Sequence, residues 1–328
     1  MLAELAAGLR ESRGVAHKRD IAPLVSALSA GAAWTPGTAK QRVAIGDDCA
    51  AIPDDGGYLL LAIEGFLNEF VAADPWFAGY CGVMVNLSDI YAMGGRPIAV
   101  VDALWCRGTD RGRTVLEGMA AASSVYQVPI VGGHSNARSD RDQLAVAVLG
   151  RATQLLSSFD AKPGDALLAA IDLRGRFREP HAHWDASTGA DAARLRADLE
   201  ILPRLAEDGL CRAAKDISMA GVIGTAIMLL ECSGAGAVMD VEAVPAPPGV
   251  APGRWLLSTF PSYGFILSVA PRDTDAVAAR FRDRGIACAV VGRCDDTRAV
   301  RLSHRGDALQ VWDLAASPFI GCGPGTQR

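Results

Sequence analysis

Apolar residues recur along this chain with two spacings, one typical of helices and one typical of strands. In residues 1–30, leucines and isoleucines recur every three or four positions, which predicts a helical N-terminus. Residues 75–93 predict a second helix, with Pro75 in its first turn and Gly94 after its last. A further helix is predicted at 110–126. Short apolar runs predict strands, at 42–45, 58–63, 98–105, 128–133 and 143–152.

A turn at residues 162–165, Lys-Pro-Gly-Asp, separates the two halves of the chain. We therefore predict two domains, residues 1–157 and residues 158–328. The second half predicts helices and strands in alternation: helices at 189–208, 219–233 and 273–284, and strands at 166–173, 263–269, 286–293 and 298–302. Because both halves mix strands and helices, the predicted fold class is α/β or α+β.

Composition narrows the class of protein. Half of the 328 residues are hydrophobic, and the net charge of −5 comes from interspersed acids and bases, which argues against a nucleic-acid-binding protein. No apolar run approaches the ~18 residues of a membrane span, and the first residues lack the features of a signal peptide. Eight cysteines occur without a C-x-x-C pair, which favours reduced, buried thiols. We expect a cytoplasmic protein that acts on neither nucleic acid nor membranes.

Two adjacent aspartates, Asp47 and Asp48, follow a glycine in the stretch "AIGDDCAAI". Burying two neighbouring negative charges is costly unless something pairs with them. One interpretation is a polar turn between two strands, because Gly-Asp and Asp-Asp are common in turns. The other is a site at which a divalent cation neutralises both carboxylates.

Further polar residues stand among apolar ones. Glu64 ends a predicted strand, Asn86 and Asp89 share one face of an apolar helix, and Asp216 precedes another helix. Each has a plain alternative: a solvated strand end, a polar stripe or a helix N-cap. Together they form a set of hard oxygen ligands without His or Cys, and Mg²⁺ prefers such a set. Mg²⁺ held by several acids usually also holds phosphate oxygens.

A glycine pair, Gly132-Gly133, follows a predicted strand, with His134 and Arg138 just beyond it. Such a pair lets backbone N–H groups approach an anion closely, and an arginine adds a bidentate phosphate contact. An ordinary hairpin is the alternative. The chain has no Walker A motif and no G-x-G-x-x-G opening a helix, so neither P-loop nor Rossmann binding is supported.

The order of "IGDD", a strand ending in an acid, "NLSDIYAMGGRP", "GGHSNAR" and "KDISMAGVIG" resembles the superfamily of aminoimidazole ribonucleotide (AIR) synthase. Its other members include thiamine-monophosphate kinase, selenophosphate synthetase, the hydrogenase-maturation carbamoyl dehydratase and formylglycinamidine ribonucleotide synthetase. The first two motifs are most similar to the kinase. The last is more similar to the hydrogenase-maturation and purine members.

This resemblance implies a PurM-like N-terminal α/β domain whose sheet pairs with a second subunit into a barrel, and a C-terminal α/β domain. It implies a homodimer that binds ATP and Mg²⁺ in a cleft and a small-molecule substrate. The residues implied to hold metal and phosphate are Asp47, Asp48, Glu64, Asp89 and Asp216. The residues implied to contact the nucleotide are Asn86, Gly132, Gly133, Arg138 and Ser218.

Several residues depart from the family pattern. His134 stands where the kinase has an aspartate, and because neutral imidazole is a poor Mg²⁺ ligand, one metal ion is lost or held differently. Glu64 replaces the usual aspartate, and Met219 replaces the second aspartate of an Asp-x-Ser-Asp-Gly motif, which puts thiamine monophosphate in doubt as substrate. Lys18 is a candidate to close over the phosphates, or else a solvated helix-end lysine. Lys18 and His134 are therefore the candidate catalytic residues.

The function that the resemblance implies is ATP-dependent transfer of the γ-phosphoryl group to an oxygen of a small molecule, as a kinase or as a synthetase or dehydratase. A metal-dependent phosphate hydrolase is one alternative, and a nucleotide-binding member without turnover is another. Nothing in the sequence indicates the acceptor.

Overall fold

The computed structural model describes residues 1–29 and 44–324. These residues form eleven α-helices: α1 Leu2–Glu11, α2 Arg13–Arg19, α3 Ile21–Ser29, α4 Asn68–Ala73, α5 Pro75–Ala92, α6 Thr109–Tyr126, α7 Ala192–Leu199, α8 Ile201–Glu207, α9 Gly221–Ser233, α10 Pro252–Leu257 and α11 Thr274–Arg282. They also form fourteen strands: β1 Ala50–Asp54, β2 Gly57–Gly65, β3 Arg96–Arg107, β4 Ile130–Asn136, β5 Arg138–Ala152, β6 Ala166–Ile171, β7 Arg176–Phe177, β8 Trp184–Asp185, β9 Ala213–Asp216, β10 Gly236–Asp240, β11 Gly264–Val269, β12 Ala287–Asp295, β13 Ala299–His304 and β14 Asp307–Asp313.

The predicted mixed α/β class is confirmed, with differences in single elements. The predicted N-terminal helix is three helices, because Ser12 has extended backbone and ends α1. The helix predicted at 189–208 is divided into α7 and α8. The strand predicted at 42–45 is wrong at residues 44 and 45, and the rest of it lies outside the described residues.

The chain divides into two compact units. The first unit consists of residues 1–47, 155–188 and 204–328, and the second of residues 48–154 and 189–203. The part of the chain before the turn at residues 162–165 and the part after it therefore each contribute residues to both units.

The first unit contains a seven-stranded sheet in the order β14-β13-β10-β12-β6-β11-β9. The β10–β13 pair is parallel, and the other pairs are antiparallel. In β6 every residue from Leu167 to Ile171 is buried, and β11 is buried along its whole length. A continuous apolar strand of this kind is covered on both faces. Helix α9 is buried from Gly221 to Cys232 and packs against β9, β10 and β11.

The second unit contains a five-stranded sheet in the order β1-β2-β5-β3-β4. Strands β3 and β4 are parallel and joined by α6, and the other pairs are antiparallel. Helices α5 and α6 lie against one face of the sheet. They approach closely at Gly79 and Gly118, where a Cβ atom on either residue would overlap the backbone of the other helix.

The opposite face of the five-stranded sheet carries apolar side chains that are exposed in the single chain. Leu61 pairs with Leu149 across β2 and β5, and Ile63 and Val101 both pair with Ala147. Directly paired residues point to the same face of a sheet, so these side chains form one surface. Their exposed fractions are 47% for Leu61, 69% for Ile63, 42% for Val101 and 37% for Leu149. We call these four residues the open apolar face.

None of the helices in the described ranges combines the length and the apolar character that crossing a membrane requires.

Candidate functional site

The two adjacent aspartates lie in a bent segment immediately before β1. The Asp47 carboxylate accepts hydrogen bonds from Ser157 Oγ at 2.8 Å, from the Ser158 backbone N–H at 2.9 Å and from Ser158 Oγ at 2.6 Å. All three residues belong to the first unit. The Asp47 carboxylate is therefore held by serines that lie 110 and 111 positions later in the chain.

Asp48 faces a different partner. One of its carboxylate oxygens lies within 4.8 Å of a carboxylate oxygen of Asp89, and both residues belong to the second unit. Asp89 is on α5, which begins at Pro75 with Asp74 as N-cap and ends before Gly94, whose φ of +75° favours glycine. Asp89 is only 4% exposed. Two carboxylates so close together, one of them buried, suit a divalent cation that lies between them.

Asn86 lies one turn before Asp89 on the same helix and is completely buried. Its Nδ2 group donates to the carbonyl oxygen of Gly82 at 2.8 Å. Its Oδ1 atom, and Oγ of nearby Ser88, are buried and have no hydrogen-bond partner among the described residues. Buried polar atoms are normally paired, so the Asn86 Oδ1 atom, on the same side of α5 as Asp89, suits a hydrogen bond to a ligand or to its water molecules.

Glu64 lies on β2, and its side chain shares a face of the sheet with an acid that the sequence analysis did not single out, Asp102 on β3. Both residues pair with Val146 of β5, so they stand on either side of it on one face of the sheet. Burial raises the pKa of Asp102 above its usual value. The signal in the sequence was an acid in the middle of the apolar strand "IAVVDALW".

Gly132 and Gly133 lie within β4, in agreement with the strand predicted at 128–133, and do not follow the strand as the anion-site interpretation assumed. Gly133 pairs with Asp102, and a Cβ atom at this position would overlap the Asp102 carboxylate. A glycine is therefore required here to make room for an acid on the next strand. The glycine pair forms part of an edge strand whose residues from Val131 to Asn136 are exposed.

His134 lies within β4, Arg138 follows the turn between β4 and β5, and both residues are exposed. The His134 ring lies 5.8 Å from the Trp105 ring, measured between centroids. The backbone N–H of Arg138 donates to Asn136 Oδ1 at 2.9 Å, which fixes the turn between β4 and β5. Arg138 is the first residue of β5, which lies between β2 and β3, and it pairs with Arg107 of β3.

Three predicted site residues belong to the first unit. Asp216 is the last residue of β9, pairs with Phe265 and is 4% exposed. The alternative that it caps the next helix is wrong, because Ala220 is the N-cap of α9. The Ser218 backbone N–H donates to Thr225 Oγ1 at 3.2 Å, and its hydroxyl is buried without a hydrogen-bond partner in the described ranges. Lys18 lies in the last turn of α2 and is half-buried.

The structure thus brings Asp48 to Asp89, sets Glu64 and Asp102 on one face, and places Gly133 beside Asp102. The participation of Asp216, Ser218 and Lys18 in the same site stays a prediction. All eight cysteines are buried thiols, as the sequence predicted. Burial raises the pKa of Cys211, Cys288 and Cys294 to about 12, which leaves them poor nucleophiles.

Comparison with known protein families identifies both halves of the chain. Residues 46–152 match the family of "AIR synthase related protein, N-terminal domain", and residues 162–305 match the corresponding C-terminal domain. An uncharacterised protein of Synechocystis is 47% identical over 323 residues, which is 98% of each chain.

Two solved structures show the same fold. PurL of Thermotoga maritima complexed with ADP superposes with a TM-score of 0.71 at 21% identity, over 85% of this chain and 47% of that one. A ThiL protein (AaThiL) complexed with AMPPCP and TMP superposes with a TM-score of 0.62 at 18% identity, over 83% of this chain and 93% of that one. The chain spans about half the length of the PurL chain that it matches.

Proposed function

The chain belongs to the AIR synthase related family, and from this membership we propose that it is a magnesium- and ATP-dependent enzyme that transfers the γ-phosphoryl group to an oxygen of a small molecule. The observation that carries the proposal is the approach of the Asp48 and Asp89 carboxylates to within 4.8 Å. Related structures complexed with ADP, ATP and AMPPCP support a nucleotide as the ligand.

In this proposal the metal-binding acids are Asp48 and Asp89, joined by Glu64 and Asp216. Mg²⁺, when bound, offsets the negative charge on the phosphate oxygens. Asp47 was also predicted to belong to this set. Its carboxylate accepts hydrogen bonds from Ser157 and Ser158.

The residues proposed to bind the nucleotide offer backbone or side-chain hydrogen-bonding groups. They are Asn86, Gly132, Gly133, Arg138 and Ser218. The buried Oδ1 of Asn86 accepts a hydrogen bond from the ligand, and the Ser218 hydroxyl donates or accepts one. Arg138 holds a phosphate oxygen by charge-assisted hydrogen bonds.

Lys18 and His134 are the proposed catalytic residues. The ammonium group of Lys18 stabilises charge on the transferred phosphoryl group. The imidazole of His134 is assigned the transfer of a proton at the acceptor substrate. We place the reaction in the cytoplasm, where buried thiols such as these eight persist in reduced form.

Thermal unfolding with and without ligands tests the proposal. ATP with Mg²⁺ is expected to raise the melting temperature. In a separate turnover assay, ADP is expected to form only when an acceptor is added. Asp48→Asn and Asp89→Asn should lose the ATP-dependent shift, because each removes one charge from the metal-binding pair. Asp140→Asn is the matched control, since Asp140 is an exposed acid of the same unit paired with Arg141.

Three results would redirect or overturn the proposal. Retention of the full ATP-dependent shift in both Asp48→Asn and Asp89→Asn would refute the site. Phosphate release from simple esters without ATP would instead identify a metal-dependent hydrolase. A nucleotide-dependent shift without turnover on any acceptor would identify a binding protein that has lost catalysis.

We also propose that the protein is a homodimer that joins two copies through the open apolar face, Leu61, Ile63, Val101 and Leu149. Burying this face would remove apolar surface from water on both copies. The resemblance to dimeric, barrel-forming relatives predicts the same face.

A further inference from the structure

The aspartate pair of the "IGDD" motif is divided between two tasks. Asp47 and Asp48 are neighbours in sequence, yet the first is bonded within the first unit and the second approaches Asp89 within the second unit. An ionised carboxylate has about four acceptor positions on its two oxygens. Two donors reach Oδ2 of Asp47 and one reaches Oδ1, so at least three of these positions are filled.

The groups that fill them are themselves fixed. Ser158 is completely buried, and its carbonyl oxygen accepts a hydrogen bond from Ser233 Oγ at 2.6 Å. Ser233 also accepts the backbone N–H of Ala161 at 2.9 Å. A cation that bound Asp47 directly would be confined to the remaining position on Oδ1, beside the buried Ser158 hydroxyl, and would compete with a network in which each member holds the next.

The residue before Asp47 is held just as firmly. The carbonyl oxygen of Gly46 accepts a hydrogen bond from Cys232 Sγ at 3.5 Å. Gly46 has a φ of +122°, and a Cβ atom there would overlap the Cys322 side chain, so only glycine is accommodated. The two residues that precede Asp48 are therefore fixed on both sides, by Cys232 and Cys322 and by the two serines.

From this geometry we infer that Asp47 is a positioning residue that fixes the backbone from which Asp48 reaches the metal, and is not itself a metal ligand. The inference rests on the proposed function, because it presumes that Asp48 holds a cation. Groups that orient a metal ligand typically change metal affinity about 10- to 100-fold when they are removed. A missing ligand has a different signature, which is the loss of a bound ion.

Electron paramagnetic resonance with Mn²⁺ in place of Mg²⁺, in the presence of ADP, separates the two roles by giving both the number of bound ions and their affinity. Asp48→Asn is expected to lose a bound ion. Asp47→Ala and Ser158→Ala are expected to keep the number of ions and to bind them about 10- to 100-fold more weakly. Asp47→Asn is expected to come within about threefold of wild-type affinity, since its amide oxygen still accepts the Ser158 N–H and the serine hydroxyls can accept its NH₂ group.

Unfolding without metal provides the second measurement. In EDTA, the double variant of Asp47→Ala and Ser158→Ala should lower the melting temperature by much less than the sum of the two single effects. Both substitutions remove the same contact. Additive effects would show that the contact does not act as described and would overturn the inference.

The metal measurements also distinguish this inference from the proposed function. Loss of one bound ion in Asp47→Asn, with an unchanged melting temperature, would show that Asp47 is a ligand and overturn the inference alone. Unchanged affinity in Ser158→Ala and Asp47→Ala would overturn it as well. A wild-type protein that binds no Mn²⁺ with or without ADP would refute the proposed site, and the positioning role with it.

Discussion

The two sheets of this protein bury their apolar residues by different means. In the seven-stranded sheet of the first unit, β6 and β11 are buried along nearly their whole length by elements of the same chain. In the five-stranded sheet of the second unit, α5 and α6 cover one face, and the opposite face leaves Ile63 69% exposed. The alternation of buried and exposed residues in β2 and β5 reflects this one-sided cover.

In the second unit, only the sheet face that carries the acids is covered by helices among the described residues. Glu64 and Asp102 point to the same face as buried Val146, whereas Ile63 and Val101 point to the open apolar face. The covered face thus carries acids near the proposed metal site, and the open apolar face is the proposed dimer interface. A contiguous exposed apolar surface of this kind is typical of an interface.

The largest expected effect comes from placing a charge on the open apolar face. In a two-fold symmetric dimer Ile63→Lys introduces two buried cations, which should cost on the order of 5 kcal/mol of association free energy. Sedimentation at micromolar concentration should then give one chain mass of 34.3 kDa, where the wild type gives twice that value.

Val290→Lys is the matched control, because Val290 is an exposed apolar residue on β12 of the other sheet. It should leave the sedimenting mass unchanged. A wild-type protein that sediments as a monomer, or an Ile63→Lys variant that remains dimeric, would contradict the proposed interface.

The next-largest expected effect concerns a buried carboxylate that holds residues 319–321 of the first unit by hydrogen bonds. The buried Glu231 carboxylate on α9 accepts the backbone N–H groups of Phe319, Ile320 and Gly321 at 2.9, 2.7 and 3.1 Å. Glu231→Ala leaves these amides without their acceptor and should lower the free energy of unfolding by roughly 3 kcal/mol, as denaturant titration would measure.

Glu231→Gln provides the comparison, because one amide oxygen can still accept two of the three N–H groups. Its loss of stability should be clearly smaller than that of the alanine variant. Equal losses in both variants would mean that charge, and not the number of accepted hydrogen bonds, decides the stability of this segment.

A smaller effect tests the segment 189–203, which groups with the second unit although it follows the turn at 162–165. Arg96 donates to the Glu200 carboxylate through Nε at 3.0 Å and Nη2 at 2.6 Å. Both side chains are partly exposed, so the pair contributes about 1 kcal/mol. Arg96→Met should accelerate amide hydrogen exchange in α7 by about fivefold.

Arg141→Met is the control for that measurement, since Arg141 pairs with its exposed neighbour Asp140 and should leave exchange in α7 as it is. Exchange in α7 that is equally slow in Arg96→Met and in wild type would show that apolar packing alone holds the segment.

Much of this fold follows from local patterns in the sequence. Helix α5 and strands β6 and β11 were predicted because each has a long periodic or continuous apolar run with turn signals at its ends. Strand β9 was missed because it is four residues long and contains Lys215, which is buried at 4% exposure. A charged residue inside so short a run gives no strand signal without its tertiary neighbours.

The site was only partly accessible from sequence. Asp48 and Asp89 were singled out as acids in apolar surroundings whose oxygens suit Mg²⁺, and the family resemblance implied the same site. The separate role of Asp47 depends on Ser157 and Ser158, so no local pattern could distinguish it from Asp48. Gly132 and Gly133 were interpreted as an approach of backbone N–H groups to an anion, and no local pattern showed that Gly133 makes room for the acid on the neighbouring strand.

The smallest expected effect tests that acid through the pH dependence of stability. Burial raises the pKa of Asp102 in the folded protein, so the folded state holds this proton more tightly than the unfolded state does. The contribution of Asp102 to stability is therefore greatest below its unfolded pKa and is lost as pH rises through its folded pKa. Asp102→Asn removes this loss and should raise the melting temperature at pH 7 by about 1–3 °C relative to wild type.

Asp142, in the same unit, gives the opposite sign and serves as the internal control. Burial alone would raise its pKa, but hydrogen bonds from the Arg107 backbone N–H and the Arg111 guanidinium outweigh burial and hold the pKa below its usual value. The stability that it provides is present above its unfolded pKa and is lost as pH falls through its folded pKa. Asp142→Asn should therefore lower the melting temperature at pH 7, and the difference from wild type should shrink on acidification. A lower melting temperature of Asp102→Asn at pH 7 would contradict this prediction. It would mean that the charged carboxylate stabilises the fold, as expected of a fifth acid in the metal site.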